Sequence, residues 1–167
     1  MNTSVVIREI EPKDDKQVET IIKRSLEKYH LDHEGTAYTD PQLSRLSAYY
    51  QARPLDKYWV IEQDGEVVGG IGIGVYNEQA SICELQKLYL ASKAQGRGLS
   101  RELMKKALNY ASVHFKQCYL ETRHELKTAN RLYEKYGFQL LSKPLKGSGH
   151  SAMNRWYMKD LSQYNWL

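Results

Sequence analysis

The chain has 167 residues, 41% apolar and 26% charged, with 24 basic against 20 acidic side chains. That composition describes one globular domain, expected to span residues 1–167, and excludes disordered and fibrous classes. The longest strongly apolar run, Val67 to Val75, falls far short of the roughly 20 residues of a membrane span.

In chain order, Val5 to Ile10 reads as a strand, and Arg8 interrupts it before any signal-peptide core builds up. A soluble, cytoplasmic protein without membrane or nucleic-acid partners is expected. Val18, Ile21, Ile22, Leu26 and Tyr29 recur at helical spacing after the capping pair Asp14-Asp15. His30 to Asp40 has no period and reads as a mobile loop beside an acceptor. Its His30, Asp32, His33 and Glu34 lack the regular spacing that would converge them on a metal. Asp40-Pro41 predicts the N-cap and first turn of a second helix running to about Ala52.

Tyr58 to Glu62 and Glu66 to Tyr76 read as strands joined at Asp64-Gly65, a hairpin signal. Gly69, Gly70, Gly72 and Gly74 interrupt the second of them, for close packing, a bulge or ligand access. Ser81 to Leu90 is a third strand. Leu99, Leu103, Met104, Ala107, Leu108 and Ala111 then form an amphipathic helix. Cys118 to Thr122 reads as a strand, and Ala129 to Tyr136 as a helix stopped by Gly137. Phe138 to Leu141 and Arg155 to Leu161 complete the chain, separated by a Pro/Gly/Ser-rich stretch in which His150 could face an acceptor site but reads first as an exposed loop histidine. The order β-α-α-β-β-β-α-β-α-β-β is an α/β mixed-sheet domain. Thirteen tyrosines against two phenylalanines suggest polar-edged aromatic surfaces, an acceptor pocket or a homodimer face.

The chemistry concentrates after the third strand of that central group. Lys87, Lys93, Arg97, Arg101, Lys105 and Lys106 face a single acid, Glu102, so this window carries +5 of a chain total of +4. Within it, Gln95-Gly96-Arg97-Gly98-Leu99-Ser100 lies between a strand and a helix. A helix start leaves about four N–H groups unpaired, and glycines let a phosphate approach them. The spacing is neither a Walker loop nor a dinucleotide fingerprint. A basic helix face or a structural turn would use the same residues.

At these residues the sequence resembles the GNAT family of N-acetyltransferases. That family marks its acetyl-CoA site with Gln or Arg, two residues, Gly, one residue, then Gly or Ala. Gln95 and Gly98 match, and Ser100 departs from the last position. The likeness extends back through Glu84 to Leu90 and forward to Leu132-Tyr133-Glu134-Lys135-Tyr136-Gly137-Phe138. It implies the GNAT acyltransferase fold, acetyl-CoA as cosubstrate, no metal, and a small-molecule or peptide amine as acceptor. By the same resemblance Leu88, Tyr89 and Leu90 would pair with the pantetheine arm. Gln95, Gly96, Arg97, Gly98, Leu99, Ser100 and Arg101 would cradle the pyrophosphate. Glu84 takes the place of a general base and Tyr133 that of the tyrosine beside the CoA sulfur. Where the family often has Asn, this chain has Leu126, so Asn130 is the expected polar contact to CoA.

The chemistry agrees with those roles. An amine with a pKa near 10 must lose a proton before it attacks, and a half-buried carboxylate can take it. A strand N–H near Leu90 can stabilise the developing oxyanion, and a phenol can protonate a departing thiolate. Glu84 could instead pair with Lys87, and Tyr133 could be core. The expected activity is direct acetyl transfer to a primary amine in a ternary complex, since neither cysteine lies in a nucleophile setting. A non-catalytic CoA-binding module and a small nucleic-acid-binding protein are the alternatives. The acceptor is unspecified, with Asp32, Glu34 and Asp40 as candidate contributors.

Overall fold

Alternation and hairpin turns lay out the sheet in the computed structural model, which describes residues 4–162. Its strands are β1 (Val5–Glu9), β2 (Lys57–Gln63), β3 (Glu66–Asn77), β4 (Ile82–Leu90), β5 (Gln117–Thr122), β6 (Gln139–Leu141) and β7 (Arg155–Asp160). Helices are α1 (Asp15–Lys28), α2 (Leu46–Gln51), α3 (Leu99–His114) and α4 (Lys127–Lys135). Among the described residues the strands form one sheet in the order β1-β2-β3-β4-β5-β7-β6. Only the β4–β5 pair is parallel; the others run antiparallel. The β2–β3 turn forms where Asp64 and Gly65 both adopt positive φ, the geometry of a two-residue hairpin. No helix among the described residues is long and apolar enough to cross a membrane.

Strand alternation divides the core into two layers. Trp59, Ile61, Ile71 and Ile73 pack under α3, where Leu103, Met104 and Leu108 are fully buried. Tyr58 and Val60 point the other way, into the cluster built by Val18, Ile22 and Leu26 of α1 and Tyr50 of α2. The glycines of β3 serve that second layer. A Cβ on Gly72 would lie 2.7 Å from the Tyr50 hydroxyl, and one on Gly74 would lie 2.9 Å from the Gln86 amide. Gly70 would collide with the Tyr58 ring. Close side-chain packing therefore accounts for these glycines.

Three expectations need correction. The helix expected from Asp40-Pro41 begins later, as a single 3-10 turn at Leu43–Arg45 followed by α2. Asp40 is extended before its proline, as sterics favour, and its carboxylate binds other segments instead of capping its own helix. The loop His30 to Asp40 is tied down by Leu31, Thr36 and Ala37, which are buried. Thr36 Oγ1 donates to the Leu31 carbonyl at 2.8 Å and accepts from the Tyr38 N–H at 3.2 Å. The tyrosines divide between two roles: Tyr50, Tyr58, Tyr119, Tyr133, Tyr136 and Tyr157 are buried and build core with polar tips, so only some of the set lines a cavity surface, Tyr29, Tyr49, Tyr76 and Tyr89 among them.

Candidate active site

The cleft arises where the sheet comes apart. Parallel pairing of β4 with β5 covers only Ile82 to Glu84 against Gln117 to Tyr119 and then stops. On its other edge β4 stays paired with β3, but with a bulge. Two steps along β3, from Gly70 to Gly72, oppose three along β4, from Tyr89 to Gln86. Lys87 sits in that bulge with φ +49°, a left-handed conformation uncommon for a lysine. The splay leaves a cleft of about 1280 Å³ running from the start of α3 to the far end of β4.

At one end lies the glycine loop. Gly96 and Gly98 have φ near +79° and +77°, and a Cβ at either would meet open space. Gly98 is the N-cap of α3 and, having no side chain, leaves the first N–H groups of the helix uncapped. Buried Ala94 and Leu99 anchor the loop on both sides, and Gln95 Nε2 donates to the Leu90 carbonyl at 3.3 Å. Leu88, Tyr89, Leu90 and the whole run Gln95 to Arg101 line the cleft. The local charge excess is smaller than composition implies, because Lys87 pairs with Asp40 and Lys93 with Glu66, each at 2.6 Å. Arg97 and Arg101 have no carboxylate partner among the described residues. Uncapped N–H groups beside two unpaired guanidiniums fit a pyrophosphate.

Both proposed catalytic side chains face the same cleft. Glu84 lies on β4 at the last paired position before the splay. Burial raises its pKa, opposed by the Gln86 amide, which donates to Glu84 Oε1 at 2.7 Å. Gln86 is itself held by the Tyr50 hydroxyl at 2.6 Å, so Glu84 is oriented from the second core layer. Its partner is Gln86; Lys87 goes to Asp40. Tyr133 of α4 packs between Phe138 and Tyr157, each ring centroid 6.0 Å away. Burial pushes its phenol well above the ordinary value, so it is protonated at neutral pH. Its hydroxyl has no hydrogen-bond partner among the described residues.

Asn130 is a correction. It is buried outside the cleft lining, and its Nδ2 donates to the Arg123 carbonyl at 3.0 Å. That bond fastens the first turn of α4 to the preceding loop. Its Nδ2 is used for the fold, while its buried Oδ1 has no hydrogen-bond partner among the described residues.

His150 is a second correction. It is half-buried: Nε2 lies 3.0 and 3.2 Å from the two Asp40 oxygens. The Asp40 hydrogen bond raises the His150 pKa above its ordinary value of 6.5, against the opposing effect of burial. Burial works against Asp40 as well, but His150 and Lys87 outweigh it and lower the carboxyl pKa. Residues from three distant segments thus meet in the cleft, joined there by Glu121, which accepts from Tyr119 Oη at 2.8 Å and from Ser148 Oγ. No sequence signal marks this group, because 110 positions separate Asp40 from His150. Of the acids suspected of facing an acceptor, Asp40 lines the cleft, while Asp32 and Glu34 do not.

Comparison with known proteins agrees with the geometry. A family model described as Acetyltransferase (GNAT) family matches residues 21–138. Over 150 residues the chain is 38% identical to the uncharacterized N-acetyltransferase YjgM of Escherichia coli K12, covering 88% of this chain and 89% of that one. Human N-acetylaspartate synthetase is 31% identical over 107 residues, which make up 64% of this chain and 34% of that enzyme. An acetyltransferase from Streptococcus agalactiae superposes with a TM-score of 0.79 at 21% identity, over 93% of this chain and 98% of that one. The yncA structure of Salmonella typhimurium, solved with acetyl-CoA, gives 0.73 at 19% identity, over 96% and 95%. These two structures share the fold. The family match runs from within α1 through β4 and the glycine loop to Phe138, so it includes the splayed strand, the loop and both catalytic candidates, and the chain belongs to the GNAT family of acetyltransferases.

Proposed function

We propose that this protein transfers an acetyl group from acetyl-CoA to a primary amine by direct attack, with both substrates bound at once. One observation carries the reading. A buried, oriented carboxylate and a protonated phenol share a single cleft with an uncapped helix start and two unpaired arginines. The relatives named N-acetyltransferase and N-acetylaspartate synthetase support nitrogen as the atom acetylated.

Bound acetyl-CoA would supply the activated acetyl group as a thioester. The N–H groups of Gly96 to Arg101, with the Arg97 and Arg101 side chains, hold the pyrophosphate, the Gln95 N–H being bonded to the Ser92 carbonyl. The edge of Leu88 to Leu90 left without a β5 partner pairs with the amide arm, and one of its N–H groups faces the developing oxyanion. Glu84 accepts the ammonium proton, helped by the burial that raises its pKa. Tyr133 Oη then donates its proton to the leaving thiolate.

Direct attack is supported by the cysteines. Cys83 and Cys118 face each other on β4 and β5, both buried and outside the cleft lining. Burial pushes the Cys118 thiol well above its ordinary value, which leaves no thiolate there to carry acetyl.

The test is release of free CoA from acetyl-CoA across an amine library, read with a thiol dye. Amine-dependent release that follows ternary-complex kinetics is expected. Tight CoA binding with no turnover on any amine would instead support a non-catalytic CoA-binding module.

A further inference from the structure

At the acceptor end of the cleft two cations share one carboxylate. Asp40 stands between two cations, Lys87 Nζ at 2.6 Å and His150 Nε2 at 3.0 Å. The Lys87 side chain is only 6% exposed, yet Asp40 is its single hydrogen-bond partner. An ammonium carries three N–H donors, and a nearly buried one normally has acceptors for all of them. His150 spends Nε2 on Asp40, and its Nδ1 has no partner among the described residues. The Asp40 bond favours the charged imidazolium, which makes Nδ1 a donor as well. Both cations line the cleft.

Across the same space the charge is reversed. Glu84 Oε1 accepts from Gln86, and Glu121 Oε2 accepts from Tyr119 and Ser148, which leaves Glu84 Oε2 and Glu121 Oε1 without partners among the described residues. The Glu121 charge contributes to the raised Glu84 pKa, so the two carboxylates sense one another. One end of the cleft therefore has a positive and a negative pole, each with unused hydrogen-bonding capacity.

We propose that the acceptor is an amine that also carries a carboxylate, bound by Lys87 and His150 at its carboxylate and facing Glu84 and Glu121 with its ammonium. This rests on the acetyltransfer reading and names the substrate class of that site. A diamine would set its second cation against Lys87 and His150. A simple monoamine would leave the spare donors of Lys87 and His150 without acceptors. An amine with a carboxylate satisfies both poles, and its neutral ester satisfies only one.

The test uses the full chain at saturating acetyl-CoA and matched probes: amino acids and dipeptides, the methyl ester of each, and linear diamines. Carboxylate forms should exceed their esters by about tenfold or more in kcat/KM, mostly through KM, as expected for a charge-assisted pair. Diamines should fall below the carboxylate forms. His150→Gln and Lys87→Gln should each raise KM for the carboxylate amine and bring the acid-to-ester ratio toward one. Acetyl-CoA should still raise Tm in both variants, which shows that they fold and keep the cosubstrate site. Esters or diamines turned over as well as the free acids would overturn the inference, and this arm needs only the parent protein. A ratio unchanged in both folded variants would also overturn it. No amine-dependent CoA release from any probe would overturn the acetyltransfer reading, and this inference with it.

Discussion

At the scale of single residues, the structure separates two tyrosine roles that share one position. The Tyr133 hydroxyl has no hydrogen-bond partner to lose, so Tyr133→Phe should change unfolding stability by less than about 1 kcal/mol. As the donor to the leaving thiolate, it should nevertheless lower kcat about a hundredfold, with KM for acetyl-CoA unchanged. Turnover near the parental rate in that variant would leave Tyr133 as packing. Glu84→Gln should lose activity most at neutral pH. Its deficit should shrink as pH rises, because more amine then arrives deprotonated. The same scale holds a stability test. The folded pKa of His150 is raised, so its contribution is complete below the ordinary value of 6.5 and is lost as pH rises through the raised one. The groups acting on it are Asp40, Lys87 and Glu84. Urea midpoints of the parent should therefore fall relative to His150→Gln as pH rises from the ordinary value of 6.5 through the raised one. A pH-independent difference would remove the Asp40–His150 pair from the stability balance.

Among the elements, the loop into α3 has the clearest consequence. Gly98 opens the helix at φ +77° with free space around its Cα, so the position requires glycine for its conformation and not for its packing. A branched residue there strains the backbone by about 1–2 kcal/mol and puts methyl groups over the first N–H groups of α3. Gly98→Val should therefore raise KM for acetyl-CoA strongly at a modest cost in stability. Arg97→Ala should weaken acetyl-CoA less, and the effect should fade with added salt, because an exposed charge is screened over about 10 Å at 0.1 M. Acetyl-CoA titrations by calorimetry at two salt concentrations check both. Parental affinity in the two variants would mean that the phosphates bind elsewhere. Gly70 differs in kind: its missing Cβ makes room for the Tyr58 ring, so Gly70→Ala should destabilise the fold without acting selectively on KM.

For the molecule as a whole, the cleft is bounded by β4, β5 and the starts of α3 and α4, which belong to segments far apart in sequence. A ligand in it binds only the assembled fold and stabilises it by mass action. Acetyl-CoA at 100 times its Kd should contribute about 2.7 kcal/mol. For a chain of this length that amounts to a rise of roughly 5–10 °C in Tm. ATP at equal concentration offers phosphates without the amide arm that Leu88 to Leu90 would pair with, and should shift Tm far less. Equal shifts from both would reduce the site to a general anion cradle.

The amino-acid sequence by itself determined the element order, the Asp64-Gly65 hairpin, the amphipathic faces of α1 and α3 and the glycine loop. These are consequences of short-range backbone geometry and of the period at which apolar side chains recur. It also placed Glu84 and Tyr133 on the elements that carry them into the cleft. Only the tertiary structure decided which partners the charged and polar side chains take. Asp40 looks like a helix cap because its neighbours in sequence are a proline and a helix, yet it binds Lys87 and His150. Asn130 looks like a ligand contact, yet it lies outside the cleft lining and its Nδ2 holds a turn. The physical reason is the sheet order. β7 inserts between β5 and β6, which carries the segment bearing His150 back to the acceptor end of the cleft, while the bulge at Lys87 turns that lysine toward Asp40. Contacts across 47 and 110 positions leave no local periodicity to read, and the opening between β4 and β5 exists only once both strands are in place.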